Sequence, residues 1–258
     1  MKPVITYITI TYNAAAVLQR TLDSVASQDY PHIRHLIVDG ASTDDTLRLV
    51  ETYMQRSNAS GNGHDVLMTS EPDRGIYDAM NKGLRSASGD YVCFLNAGDF
   101  LPASDTVSRI VGQLADCSVM PAVLYGDTDI VDGEGRFLRH RRLSPPERLH
   151  WRSFRQGMLV CHQAFYARTD FAVANPYDLR YRYSADVDWC IRIMRQADDE
   201  QVPLLNLHMV VANYTEEGQT TLHHRESLRE RYKVMQHHYG RVQTFLLHVW
   251  FVLRAIFK

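Results

Sequence analysis

Short β-branched runs alternate with helical patterns through the first hundred residues, and this alternation leaves few folds open. Residues 4–10 form a run of Val, Ile, Thr and Tyr that predicts a strand. Asn13 then stands as the expected N-cap of a helix that repeats apolar residues at Val17, Leu18, Leu22 and Val25. A second strand at 36–38 ends in Asp39-Gly40. Ser42 and Asp45 follow at capping-box spacing, with Asp in place of Glu or Gln, ahead of a helix through Leu47, Val50 and Met54. The stretch RSNASGNGHD reads as a loop. Residues 66–69 form a third strand, 76–87 a third helix and 91–95 a fourth strand. Such alternation implies βαβ units and a mainly parallel, twisted sheet.

The order loosens after Leu101. A helix is expected over 105–114, then the strand-like AVLYGDTDIV and a turn at Asp132-Gly133-Glu134-Gly135. Residues 136–155 carry Arg136, Arg139, Arg141, Arg142, Arg148, Arg152 and Arg155 against one acid, Glu147, and read as an exposed loop or lid. A further helix is expected over 185–197. The last element, 243–257, is apolar almost all round. A length of 258 residues suits one sizeable domain, with two compact lobes as the upper limit. Charge is divided along it: residues 1–135 hold 9 Lys+Arg against 18 Asp+Glu, and residues 136–258 hold 19 against 12. A uniformly basic nucleic-acid binder is therefore disfavoured, while the second half suits an anionic surface. Cys93, Cys117, Cys161 and Cys190 include no C-x-x-C pair, which argues against a zinc ribbon or redox motif. The opening MKPVITYITITYN has no apolar h-region, so no signal peptide is expected and a reducing, cytoplasmic compartment is the default.

Ligands of open α/β sheets bind beyond the carboxyl ends of the strands. Those ends carry Thr11-Tyr12-Asn13, then Asp39, then Glu71 with Asp73 and Arg74, then Asn96 with Asp99. Neither G-x-G-x-x-G nor a Walker loop is present, so phosphates need another counter-charge. Asp99 can hold a divalent cation that bridges a diphosphate, or it can cap the next helix or close the Asn-Ala-Gly-Asp turn. Arg74 can likewise be a surface ion-pair partner.

The segments ITITYNAAAVLQRTLDSVASQDY, LIVDGASTDDT, SEPDRGIYDAMNKGLRSASGDYVCFLNAGD, HQAFYAR and YDLRYRYSADVDW, in this order and spacing, resemble a family 2 glycosyltransferase. The similarity is to the group that builds colanic acid and related bacterial exopolysaccharides, and it spans roughly residues 4–220. It implies a GT-A fold: a Rossmann-like, three-layer α/β/α arrangement with a mixed, mainly parallel central sheet and a C-terminal helical extension. The implied domain covers 1–220, with a nucleotide-sugar half at 1–100 and an acceptor half at 101–220. Residues 221–258 form the basic, amphipathic extension.

The resemblance also implies roles. Thr11, Tyr12, Asn13, Asp39, Arg74 and Asn81 would form the nucleotide-sugar site, with Tyr12 and Arg74 at the base. Asp99 would be the metal carboxylate for Mn2+ or Mg2+, although Asn96 and Gly98 stand where Asp is often found. Asp186 matches the catalytic base, and Ala185 replaces the Glu that usually precedes it. Asp188 lies about 200° further around a helix, so the two acids face different ways. His162 and Gln163 fall in the acceptor-side segment. The pairs His223-His224 and His237-His238 point to different helix faces, which argues against a shared metal, and His208 is a further candidate ligand.

The expected activity is transfer of a sugar, with inversion, from a UDP- or GDP-sugar to a polyprenyl-diphosphate-linked glycan in cell-surface polysaccharide synthesis. The alternatives are a sugar-nucleotide pyrophosphorylase and a non-enzymatic scaffold of the same fold. The tail TFLLHVWFVLRAIFK is too short and too interrupted by His248 and Arg254 for a span of about 20 apolar residues. It can pack on the core, or lie in a membrane interface with Trp250 and Phe251 inserted. Arg225, Arg229, Arg231, Lys233 and Arg241 favour the interface. The expected location is peripheral, on the inner face of the cell membrane.

Overall fold

The computed structural model describes residues 2–216 and 224–256, and of 224 and 251–256 the backbone alone. Strands β1 (Ile5–Thr11), β2 (Ile33–Asp39), β3 (Asp65–Ser70) and β4 (Tyr91–Phe94) pair in parallel in the order β3-β2-β1-β4. Their crossovers are helices α1 (Ala15–Ala26), α2 (Thr46–Ser60) and α3 (Ile76–Ser86). The parallel register sets Thr11 opposite Asp39, and Asp39 opposite Ser70, so the polar strand ends meet at one edge. Beyond β4 the direction reverses. Strand β5 (Val123–Val131) and its hairpin partner β6 (Phe137–His140) are antiparallel, and β7 (Phe165–Arg168) runs antiparallel between β4 and β5. Strand β8 (Leu204–Thr215) then pairs in parallel with β5. Helices α4 (Thr106–Gly112), α5 (Thr169–Ala174), α6 (Ala185–Asp199), α7 (His224–Tyr239) and α8 (Arg241–Ile256) complete the layers. The mixed, mostly parallel sheet with its C-terminal helical extension is the architecture expected.

Side-chain alternation divides the core between the two sheet faces. Ile37 of β2 packs with Leu18 and Leu22 of α1 and Val50 and Tyr53 of α2. Leu36 and Val38 turn the other way, into the larger cluster that holds Tyr77 and Met80 of α3 and Trp189 of α6. His35 is fully buried on the first face. Its Nδ1 lies 2.9 Å from the Tyr53 hydroxyl and its Nε2 2.9 Å from Thr9 Oγ1. Burial lowers its pKa to about 3, so it is a neutral strut of the core.

Four local expectations are corrected. Asn13 does not cap α1: it sits at φ +47, and its Oδ1 accepts from the Thr43 backbone N–H, which joins two strand-end loops. Ser42 and Asp45 form no capping box. Asp44 takes that work instead, accepting from the backbone N–H of Ala15 at 3.1 Å and of Thr46 at 3.0 Å, one at the start of each helix. The polar stretch after Arg56 continues α2 to Ser60, because Ser57 is buried. The helix stops only at Gly61, in the left-handed conformation at φ +65. The arginine-rich segment is only partly an exposed loop. It begins with β6, and a 3₁₀ turn at Trp151–Gln156 buries Trp151 and Phe154. Within it the Arg141 guanidinium donates to the carbonyls of Leu143, Met158 and Leu159.

The C-terminal helices are tied to the domain by buried charge. Asp188, 2% exposed, accepts from Arg192 Nε at 2.7 Å and pairs with His238 Nε2 at 2.8 Å, which joins α6 to α7. Glu230 of α7 accepts from the backbone N–H groups of Arg182, Tyr183 and Ser184, immediately before α6. His208 stands exposed, 3.6 Å from Glu147, and His223 lies outside the described residues. Removing one member of a buried ion pair leaves the others uncompensated, at a cost of about 3–5 kcal/mol. Asp188→Ala is therefore expected to lose stability of that order in urea unfolding.

Candidate functional site

The site residues fall into two groups along the carboxyl edge of the sheet. The first surrounds Asp39, which is 1% exposed and accepts four hydrogen bonds, from Thr11 Oγ1, Ser42 N, Ser42 Oγ and Ser70 Oγ. Burial pushes its carboxyl up, but the bonds from Ser42, Ser70 and Thr11 outweigh this and hold it below the ordinary range. It is an oriented anion. Tyr12 beside it is 65% exposed, an open aromatic face at the site. A Cβ on Gly40 would come 2.5 Å from Asp73 Oδ2 and 3.3 Å from the Tyr12 ring, so glycine lets these two groups converge there. Arg74 is exposed, and its guanidinium lies 3.3 Å from Asp78, one turn along α3. Asn81 faces inward: its amide donates to the Tyr177 carbonyl and accepts from the Tyr177 N–H. It ties α3 to the segment ahead of α6.

The second group is built on the turn after β4. Gly98 adopts φ +100 there, Thr21 accepts from its N–H, and Thr215 donates to its carbonyl. Asp99 is 5% exposed, with Oδ2 accepting from Gln163 Nε2 at 2.6 Å and Oδ1 from the Thr215 N–H at 3.0 Å. Burial raises its pKa to about 6 against these bonds. Both of its oxygens are engaged, and among the described residues no three His, Cys, Asp or Glu side chains gather. The residues present therefore do not make a closed cation site, and oxygens of a bound diphosphate would have to supply most of the ligands a hard cation needs.

Asp186 lies in the first turn of α6, its side chain 17% exposed. Oδ1 accepts from the Tyr77 hydroxyl at 3.1 Å, and Oδ2 faces His162 Nδ1 at 3.5 Å. Burial pushes this carboxyl up as well, but the bond and charge of His162, the charge of Arg231 and the Tyr77 hydroxyl together hold it below the ordinary range. His162 turns its other nitrogen to Asn96 Nδ2, at 3.1 Å. An aromatic stack of Tyr77, Tyr177 and Trp189 forms the floor. Asp188 faces away, as the helical spacing predicts. The sequence reading did not find Tyr77, Glu230, Ser42 or Ser70. Tyr77 sits inside the EPDRGIYDAMNKG motif, but its partner Asp186 is 109 residues away.

The sequence model described as glycosyl transferase family 2 matches residues 6–173. The chain belongs to this family. It is 34% identical over 221 residues to a PGL/p-HBAD biosynthesis glycosyltransferase of Mycobacterium bovis, covering 84% of this chain and 78% of the relative. It is also 37% identical over 98 residues to the putative teichuronic acid biosynthesis glycosyltransferase TuaG of Bacillus subtilis, covering 38% and 37% of the two chains. Among solved structures, S. aureus TarS 1-349 in complex with UDP-GlcNAc superposes with a TM-score of 0.70 at 19% identity. That match covers 90% of this chain and 64% of TarS 1-349, so this glycosyltransferase spans under two thirds of that chain. The mannosyltransferase PcManGT of Pyrobaculum calidifontis, in complex with GDP-Man and Mn2+, superposes with a TM-score of 0.63 at 21% identity, covering 96% and 69%. The fold is thereby GT-A, and the pyrophosphorylase alternative falls away.

A carboxyl whose folded pKa lies above its ordinary 3.8 binds more protons folded than unfolded between pH 4 and 6, so its contribution to stability is lost as pH rises through about 6. Wild type should therefore lose roughly 1–2 kcal/mol relative to Asp99→Asn between pH 5 and 7.5. Paired denaturation curves at the two pH values measure the difference.

Proposed function

We propose that this glycosyltransferase moves a sugar from a UDP- or GDP-sugar to a lipid-linked glycan acceptor, with inversion at the anomeric carbon, in the synthesis of a cell-surface polysaccharide. The observation that carries this reading is the setting of Asp186, a shielded but accessible carboxylate gripped at both oxygens. In the proposed step the acceptor hydroxyl oxygen forms its bond to the anomeric carbon as Asp186 takes the hydroxyl proton. The bond from that carbon to the diphosphate oxygen breaks on the opposite side, and the nucleoside diphosphate leaves with the electron pair. One base and one displacement give inversion.

The Asp39 group supports a nucleoside site. A fixed carboxylate can accept from ring N–H or ribose hydroxyls, Tyr12 offers a stacking face, and Arg74 an exposed cation. Asp99 is the proposed protein carboxylate for Mn2+ or Mg2+, a cation that would offset charge on the departing diphosphate. Bound UDP-GlcNAc in TarS and GDP-Man with Mn2+ in PcManGT support the donor class and the cation. The PGL/p-HBAD and teichuronic acid names of the relatives support a cell-surface product.

Helix α8 supports work at a membrane surface. Val242, Phe245, Leu246, Val249 and Trp250 follow an i, i+3, i+4, i+7, i+8 pattern and are 39–75% exposed, a continuous apolar stripe. Exposed Arg225, Arg229, Lys233 and Arg241 stand in the same two helices. No helix among the described residues is long and apolar enough to cross a membrane, so the proposed contact is peripheral, on the cytoplasmic leaflet.

A thermal-shift panel of nucleoside diphosphates with and without Mn2+ is expected to show stabilisation by one base. Asp186→Asn should then bind that nucleotide within about threefold of wild type while transfer falls roughly 10²–10⁴-fold, the span of general-base effects. Full transfer by Asp186→Asn would remove the assignment. Separately, vesicles containing phosphatidylglycerol should sediment the full chain at low salt, with binding lost in Phe245→Glu/Trp250→Glu. A wild-type chain that stays in the supernatant would remove the membrane contact.

A further inference from the structure

The cations of α7 point two ways. Arg225, Arg229 and Lys233 are exposed, whereas Arg231 is half-buried on another face of the helix. Residues three and four apart share a helix face, and at those spacings from Arg231 stand Ser227, Val234 and Met235, all buried. This face lies over the start of α6. The Ser227 carbonyl accepts from Ser184 Oγ at 3.1 Å, Glu230 accepts from the backbone N–H groups of residues 182–184, and His238 meets Asp188. Asp186 stands between those contacts, and the charge of Arg231 is among those that act on its carboxylate. Other half-buried arginines are taken up by the chain: Arg141 donates to three carbonyls and Arg192 pairs with Asp188. Arg231 is not. Its Nε is buried without a hydrogen-bond partner, and the side chain forms no ion pair among the described residues. An unanswered guanidinium at a buried face costs stability, and buried polar groups are nearly always satisfied. One left open beside the base is suited to a ligand.

We propose that Arg231 is an anion subsite for the acceptor: its guanidinium receives a phosphate or carboxylate group that the acceptor carries close to the reacting hydroxyl. The proposal deepens the reading of Asp186 as the proton acceptor and rests on it. The side of the site decides which substrate brings the anion. In the proposed step the donor diphosphate departs on the face of the anomeric carbon opposite the base, so an anion that meets a cation beside the base arrives with the acceptor. A guanidinium forks onto phosphate or carboxylate through two parallel bonds, which sets the acceptor's direction as well as its affinity. A lipid-linked glycan offers such a group in two places, the phosphate that joins its first sugar to the lipid and the carboxylate of an acidic sugar. The first source means a lipid that carries a single sugar, the second an acidic glycan. Once seated, the anion would offset the field of Arg231 at Asp186 and leave that carboxylate a stronger proton acceptor.

The test uses the full chain with its stabilising nucleotide, UDP or GDP, held at saturation. Octyl glucoside, octyl glucuronide and octyl phosphate, each below its micelle concentration, are titrated calorimetrically at pH 7.5 as neutral, carboxylate and phosphate probes. One anionic probe is expected to bind about tenfold more tightly than octyl glucoside, and which one it is distinguishes the acidic sugar from the lipid phosphate. Arg231→Gln should abolish that preference while nucleotide affinity stays within about threefold. Arg231→Lys keeps the charge without the fork and should lose part of the preference, so it carries the test if Arg231→Gln does not fold. A wild-type chain that binds neither anion better than octyl glucoside overturns the subsite. So does a preference that survives undiminished in both variants. Either result alongside an inactive Asp186→Asn leaves the base assignment standing, whereas an active Asp186→Asn removes the base itself.

Discussion

A buried carboxylate is useful only if the backbone beneath it is held, and here the start of α6 depends on the C-terminal helices. Glu230 accepts from three consecutive backbone N–H groups, those of Arg182, Tyr183 and Ser184, leading into the turn that carries Asp186. Two residues beyond Asp186, Asp188 is clamped between Arg192 and His238. Unpaired donors at a helix start attract an acid, and this one comes from another helix rather than from the local sequence. Helix α7 is therefore part of the frame of the site, although it follows every motif that carries the family resemblance.

The same division of labour runs through the acidic first half of the chain. An excess of carboxylates would oppose a diphosphate if they stood free. Instead Asp39 is taken up by three side-chain hydroxyls and a backbone N–H, and Asp44 by the first-turn donors of two helices. Asp78 is met by Arg74. These acids serve as local braces that turn loops into a fixed rim. The charge asymmetry between the two halves consequently overstates the negative potential at the strand ends.

Much of this architecture was legible in the sequence because it rests on local signals. The β-branched runs became β1 to β4, the turn at Asp132–Gly135 became the β5–β6 hairpin, and the opposed directions of Asp186 and Asp188 followed from helical geometry alone. What sequence could not supply were bonds between loops. Asn13, Ser42 and Asp45 carry the residue types of helix caps, but Asn13 and Ser42 bond across two apposed strand-end loops and Asp45 pairs with Arg48 one turn along. Polar composition after Arg56 suggested a loop, whereas the buried face of Ser57 and the left-handed Gly61 decided where α2 ends. Tyr77, Glu230 and Asn96 acquire their meaning from partners more than 40 residues away.

Asp99 combines a candidate metal position with a structural one. Its place after β4 matches a metal carboxylate, Gln163 and Thr215 each donate one bond to its oxygens, and burial raises its pKa to about 6. In this geometry the charge of Asp99 fastens the β4 turn to the end of β8 and to the 3₁₀ turn that also carries His162. That 3₁₀ turn touches Asp99 through Gln163 and Asp186 through His162, so consecutive side chains link the turn after β4 to the start of α6.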